Sequence, residues 1–185
     1  SGTSGAMKLE ADAHIPFPRE TVFTTYRDRL PELVPYLPNV RSVEVTSKET
    51  DVGGNSARVD LVNLWRANAD VPKVLQAFVS PEALAWIDRA EWDAEGFRCH
   101  YRIEPKVFTD NVRCEGTNTY REDGAGTVLE MRGELTVDAR GIPGVPRLLA
   151  GTISPAVEKF VVSLIRPNLL SVAEGLERFL QDEAR

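Results

Sequence analysis

Cysteine and histidine are scarce in this sequence, which has two of each among its 185 residues. Two cysteines are too few for a disulfide framework, so a reducing compartment, the cytoplasm, is the expected location. Without a second cysteine pair or a supporting histidine they also make a poor zinc site, and we expect no metal. We expect no cofactor, because the sequence has no Gly-rich phosphate loop, Gly-x-Ser-x-Gly elbow or His-Glu-x-x-His motif.

Positively charged residues are fewer than negatively charged ones. The chain carries 22 Lys and Arg against 28 Asp and Glu, which leaves a formal net charge of −6. A nucleic-acid-binding protein usually has a basic face, so this class is excluded. No apolar run approaches the roughly 20 residues that a membrane-spanning helix needs. We therefore expect no transmembrane segment, although transient contact with a membrane is compatible with the sequence. The expected oligomeric state is a monomer or a weak dimer.

The bulk composition is that of a globular protein, with 42% hydrophobic and 27% charged residues. The length suffices for one domain with a sizeable core. Residues 1–6 (SGTSGA) have the composition of a cloning remnant, so Met7 is taken as the first native residue. The sequence thus predicts a single domain over residues 7–185.

An alternating pattern dominates residues 57–138, where five strand-like runs keep charged side chains on one parity. In the run 97–104, for example, Arg98 and Arg102 alternate with Cys99 and Tyr101. A strand with this period of two has one wet face and one dry face. Turn sequences at residues 93–96 (DAEG) and 122–126 (EDGAG) make consecutive strands antiparallel. Two further strands, at residues 8–14 and 40–48, flank two short helical segments.

A long amphipathic helix is predicted over residues 154–183, with apolar side chains every three or four positions. Ser154 is the predicted N-cap and Pro155 the first helical residue. Pro167 lies inside the pattern and predicts a kink. This helix is the available cover for the dry face. The expected fold is therefore α+β: a curved antiparallel seven-stranded sheet wrapped around a long C-terminal helix, with two short helices after strand 1.

The element order, the opening AHIPFPRETVFTTYRD (residues 13–28), the stretch LPELVPYLPNVRSVEV (residues 30–45) and the terminal helix resemble the START/Bet v 1-like (SRPBCC) superfamily. This superfamily includes polyketide cyclases and lipid-transfer proteins. The resemblance implies a helix-grip fold whose cavity takes lipids, sterols, polyketides or hormones. The superfamily has no shared catalytic motif, so no catalytic residue follows from it.

Candidate ligand-binding residues are those expected on the dry face and on the helix stripe that covers it. The set comprises Asn63, Trp65, Trp86, Asp88, Cys99, Tyr101, Cys114, Asn118, Tyr120, Met131, Leu135, Phe160, Leu164 and Asn168. If the hairpin at residues 105–111 is symmetric, Cys99 and Cys114 are cross-strand neighbours, either as core thiols or as lining residues. Asn168 either satisfies a carbonyl freed by Pro167 or reaches into the cavity.

Asp88 is the candidate catalytic residue, because Trp86 and Trp92 share its predicted face. A desolvated carboxyl group there should have a raised pKa, as acid–base groups often do. A buried partner or an exposed sheet end would give Asp88 a structural role instead. His14 and His100 fall on the charged parity, which argues against a histidine base in the cavity.

Three functions are compatible with these features. The first is binding or carriage of a hydrophobic small molecule, lipid or polyketide-like, with residues 66–82 or 141–151 as a lid. The second is an enzyme of the polyketide aromatase/cyclase or dehydratase type that uses Asp88 in the same cavity. The third is an interaction module that presents its helix and loops to a partner protein.

Overall fold

The computed structural model describes residues 6–185, so residues 1–5 of the predicted cloning remnant lie outside the described part. Seven strands form one antiparallel sheet within these residues: β1 (Met7–Ile15), β2 (Val40–Thr50), β3 (Arg58–Ala67), β4 (Ala85–Asp93), β5 (Arg98–Pro105), β6 (Val112–Asp123) and β7 (Gly126–Val137). Their order is β1-β7-β6-β5-β4-β3-β2. The N-terminal strand therefore pairs with the last strand, and every other neighbour in the sheet is a neighbour in sequence.

The two faces of the sheet are those that the alternating pattern predicts. Trp86, Tyr101 and Met131 are buried, whereas the Arg98 and Arg132 side chains are 61% and 46% exposed. The outward face carries ion pairs such as Arg89–Glu104, with Nε and Oε1 3.0 Å apart. The predicted fold class is thus confirmed.

In the described part of the chain, two α-helices and a seven-residue 3₁₀ helix pack on the sheet, and five further 3₁₀ turns lie in the connections. An α-helix, α1 (Arg19–Arg29), leads directly into a 3₁₀ helix (Leu30–Tyr36), and these are the two short helices expected after β1. The long helix α2 (Ala150–Glu183) lies against the inward face of the sheet. Its buried stripe includes Val157, Val161 and Leu176.

The predicted N-cap of α2 is wrong, because the helix begins at Ala150, four residues before Ser154. A 3₁₀ turn (Arg147–Leu149) runs straight into it. The Ser154 hydroxyl instead donates to the carbonyl of Ala139, at 2.6 Å. Ser154 therefore ties the first turns of α2 to the chain that follows β7.

Pro167 lies inside α2 without interrupting its assignment as one helix. A proline has no N–H, so the carbonyl of Ser163 loses its usual helical donor. Asn168 donates from Nδ2 to the next carbonyl, that of Leu164, at 2.6 Å. Asn168 thus has a structural role beside the freed carbonyl, and the predicted kink stays a prediction.

Contrary to the sequence-based expectation, the segment Arg147–Glu183 is long and apolar enough to cross a membrane. The core helix of a soluble protein meets the same criterion, and α2 buries one full stripe of side chains against the sheet. The segment is therefore weak evidence for a membrane span.

The connection between β3 and β4 is packed rather than free. Val71, Leu75 and Val79 are buried, and the 3₁₀ turn Lys73–Leu75 packs against α2. This segment, predicted as a possible lid, is thus anchored in the core by these three side chains, whereas most of its other residues are exposed.

Candidate ligand-binding cavity

A small cavity lies between the inward face of the sheet and α2. Its volume is about 20 Å³, which is room for roughly one water molecule. It is lined by Leu9, Tyr26, Leu61, Asn63, Trp65, Asp88, Ala90, Trp92, Cys99, Tyr101, Ile103, Asn118, Met131, Leu169 and Leu170. The lining is thus mostly aliphatic and aromatic, with a few polar groups.

Half of the residues predicted from the sequence line this cavity: Asn63, Trp65, Asp88, Cys99, Tyr101, Asn118 and Met131. The others lie outside the lining: Trp86, Cys114, Tyr120, Leu135, Phe160, Leu164 and Asn168. All of these are also buried. Alternation identifies the dry face, but not the part of that face that borders the cavity.

Eight lining residues were not predicted: Leu9, Tyr26, Leu61, Ala90, Trp92, Ile103, Leu169 and Leu170. Five of them lie on the inward parity of their strands, so the alternating pattern predicts that their side chains face the dry side of the sheet. Leu169 belongs to the helix stripe. Tyr26, on α1, follows Val22 and Phe23 at helical spacing, which predicts a buried helix face but not which strands it contacts.

The predicted pairing of the two cysteines is wrong. Cys99 lies opposite Asn118, and Cys114 lies opposite Ile103. The hairpin is centred between Phe108, which has a left-handed φ of 55°, and Thr109. Both thiols are free and buried, and burial raises the pKa of Cys114 to about 12.

Asp88 is the ionisable group of the cavity whose pKa lies nearest neutrality. Its Oδ2 accepts hydrogen bonds from Asn63 Nδ2 at 3.4 Å and from Trp65 Nε1 at 3.2 Å. Antiparallel pairing brings these groups together, because Asn63 is directly opposite Asp88 on β3. Burial raises the pKa of Asp88 to about 6, against the opposing effect of the two hydrogen bonds.

Three acceptor oxygens of the lining residues are buried without a hydrogen-bond partner among the described residues. They are Asp88 Oδ1, Asn63 Oδ1 and Asn118 Oδ1. Buried polar atoms in native proteins are usually paired, so these three oxygens are available to accept hydrogen bonds from a donor in the cavity. Trp92 Nε1 is a buried donor in the lining that also lacks a partner.

Tyr101 owes its position to two glycines. It lies opposite Gly116 on β6, which lies opposite Gly133 on β7. A Cβ atom at either glycine would be 2.5 Å from the Tyr101 hydroxyl, far inside van der Waals contact. The glycines thus leave the space that the tyrosine ring occupies on the inward face. Burial raises the pKa of Tyr101, so its hydroxyl stays neutral.

The two histidines are outside the cavity. The side chains of His14 and His100 are 55% and 48% exposed, on the outward face. Within residues 6–185, no cluster of three or more His, Cys, Asp or Glu side chains could hold a metal ion. The chemistry of the cavity therefore rests on Asp88, its asparagine neighbours and the aromatic side chains.

Comparison with known proteins agrees with this architecture. The protein TTHA0849 from Thermus thermophilus is 25% identical, with a TM-score of 0.65 over 97% of this chain and 100% of that one. The Zhui aromatase/cyclase from Streptomyces sp. R1128 is 16% identical, with a TM-score of 0.67 over 98% and 97% of the two chains.

Norcoclaurine synthase from Thalictrum flavum, in complex with dopamine and hydroxybenzaldehyde, is 13% identical. Its TM-score is 0.59 over 97% of this chain and 88% of that one. None of the curated proteins matches the chain. The sequence profile of the family described as "Protein of unknown function (DUF2505)" matches residues 10–166. The chain therefore belongs to the DUF2505 family, and its fold is that of the SRPBCC/Bet v 1-like superfamily.

Proposed function

We propose that this protein binds or carries a hydrophobic small molecule, lipid or polyketide-like, in the space between the sheet and α2. The observation that carries the proposal is the cavity itself: an apolar and aromatic lining around a few unpaired polar atoms. Small-molecule sites usually have this composition. A carrier of this kind would act in the cytoplasm as a monomer or weak dimer.

The volume of the cavity sets a condition on this proposal. Sites for drug-sized ligands have volumes of about 300–1,000 Å³, whereas this cavity has about 20 Å³. A ligand must therefore displace lining side chains. Leu169 and Leu170 are only partly buried, and they follow Pro167, where α2 lacks one backbone hydrogen bond. This part of α2 is where we expect the lining to open.

The test combines co-purification with a probe. Native mass spectrometry of gently purified protein should show a bound apolar molecule, and the neutral dye N-phenyl-1-naphthylamine should bind with enhanced fluorescence. Met131→Trp fills the cavity and should weaken dye binding at least ten-fold. Leu148→Trp is the matched control, because Leu148 is 98% exposed outside the cavity. Equal dye affinity in wild type and Met131→Trp would place the binding elsewhere and refute the proposal.

A second candidate function is catalysis of the aromatase/cyclase or dehydratase type. The observation in its favour is Asp88, whose pKa of about 6 suits proton transfer near neutral pH. The fold similarity to an aromatase/cyclase supports the same candidate. An enzyme of this type would lose turnover in the Asp88→Asn variant while it kept its affinity for the neutral dye.

A further inference from the structure

Asp88 has no positively charged partner. It forms no salt bridge with any of residues 6–185, and the fifteen residues of the cavity lining include no Lys, Arg or His. Acidic residues are almost never fully buried unless they are paired. The cavity thus contains a carboxylate whose counter-charge the described chain does not supply.

The geometry leaves one carboxylate oxygen available. Asn63 and Trp65 both donate to Oδ2 of Asp88, while Oδ1 has no partner. The same hydrogen bond orients the Asn63 amide, so its own oxygen is a free acceptor. Asn118 has a third unpaired oxygen in the lining, but it is level with Trp92 in the sheet, four positions along β4 from Asp88. A protonated primary amine is a donor-only group with three N–H bonds, which matches the neighbouring acceptors of Asp88 and Asn63.

The rest of the lining suits a cation that is attached to an apolar body. Tyr26, Trp65, Trp92 and Tyr101 are all lining residues, and the rings of Tyr26 and Trp92 have centroids 5.4 Å apart. Aromatic side chains attract ammonium groups through their ring electrons and also bury apolar surface. Neutral ligands would leave the charge of Asp88 without a partner.

We propose that the cavity binds primary arylalkylamines, with the ammonium group paired to Asp88 and hydrogen-bonded to the free oxygens of Asp88 and Asn63. The proposal rests on the proposed binding function and specifies the class of its ligand. Aromatic side chains of the lining enclose the aryl group once Leu169 and Leu170 have moved.

The experiment compares phenethylamine with its neutral analogue 2-phenylethanol, by calorimetry and by NMR of the Trp65 indole N–H. At pH 7.5 we expect the amine to bind at least ten-fold more tightly than the alcohol. Asp88→Asn should remove this preference. Asp110→Asn, the same change at an exposed aspartate, should leave it intact. Equal affinities of the amine and the alcohol in wild type, or an unchanged preference in Asp88→Asn, would overturn the proposal.

A pH series on the wild-type protein keeps the test independent of any variant. Only the ionised form of Asp88 neutralises an ammonium group, so amine affinity should rise about ten-fold between pH 5 and pH 7.5 as the group titrates. The affinity of the alcohol should not rise in this way. An amine affinity that is flat across this range would overturn the amine proposal. If N-phenyl-1-naphthylamine still binds, hydrophobic binding survives; if the dye also fails to bind, both proposals fail.

Discussion

At the scale of single residues, Asp88 combines burial with a free oxygen and thereby couples the cavity to pH. Its pKa is about 6 in the folded protein against an ordinary value of 3.8. Because the folded state holds this proton more tightly than the unfolded state, the favourable contribution is complete below about pH 4. It is lost as the pH rises through about 6.

We predict that Asp88→Asn increases the free energy of unfolding at pH 7.5 by about 1–3 kcal/mol, since two pKa units correspond to roughly 2.7 kcal/mol. The asparagine oxygen can still accept the hydrogen bonds of Asn63 and Trp65, so the packing is retained. The gain should shrink towards zero at pH 4. Urea unfolding at the two pH values measures it. A gain of the same size at both would show that the charge of Asp88 is not its cause.

The inward position of Asp88 was predictable from alternation alone, because successive side chains of a strand point to opposite faces. Its partners were not predictable. Asn63 and Trp65 are more than twenty residues away in sequence, and only the register between β3 and β4 brings them to Oδ2. The wrong pairing of Cys99 with Cys114 has a different cause: these two residues are symmetric about a point between Lys106 and Val107, whereas the hairpin is centred between Phe108 and Thr109.

At the scale of elements, α2 makes a close contact with the 3₁₀ helix Leu30–Tyr36 and the residue that follows it. A Cβ atom at Gly175 would lie 2.7 Å from Leu37 Cδ2 and 3.0 Å from the carbonyl oxygen of Tyr36. Nearby, Arg29 donates to both carboxylate oxygens of Glu183, at 2.7 and 2.6 Å. The C-terminal end of α2 is thus held closely against the chain that follows α1.

We predict that Gly175→Ala lowers the free energy of unfolding, because overpacking of about 1–3 kcal/mol exceeds the roughly 1 kcal/mol that alanine adds to helix propensity. Gly151→Ala is the matched control on the same helix, since nothing lies within 4 Å of its Cβ position. This control should stabilise by up to about 1 kcal/mol. Thermal unfolding of both variants measures the two changes in stability. Stabilisation by Gly175→Ala as well as by Gly151→Ala would contradict the close contact at Gly175.

Helix α2 itself followed from its three- and four-residue apolar spacing, but its first residue did not. The N-cap prediction assumed that Ser154 caps the backbone of its own helix. In the structure this hydroxyl bonds to Ala139, fifteen residues earlier. Local sequence cannot distinguish a cap from such a tertiary hydrogen bond.

At the scale of the whole molecule, the sheet and α2 leave room for about one water molecule between them. The proposed ligand could therefore bind only after they separate locally. Openings of this kind usually occur in microseconds to seconds. The opening rate then becomes an upper limit on the rate of ligand entry.

We predict that the observed rate of N-phenyl-1-naphthylamine binding, followed by stopped-flow fluorescence, reaches a plateau as the dye concentration rises. Leu170→Ala should raise the plateau, because it removes packing from the cavity lining beside Pro167. Leu148→Ala should leave it unchanged, because Leu148 is exposed away from the cavity. A rate that stays linear in dye concentration would mean that the site is already open.

The sequence by itself determined which face of each strand is dry, which stripe of α2 is apolar and in what order the elements follow. These properties depend on the backbone periods of two and 3.6 residues, which are local. Only the tertiary structure decided the partners of Asp88, the part of the dry face that borders the cavity and its small volume. These depend on strand register and on packing between residues that are far apart along the chain.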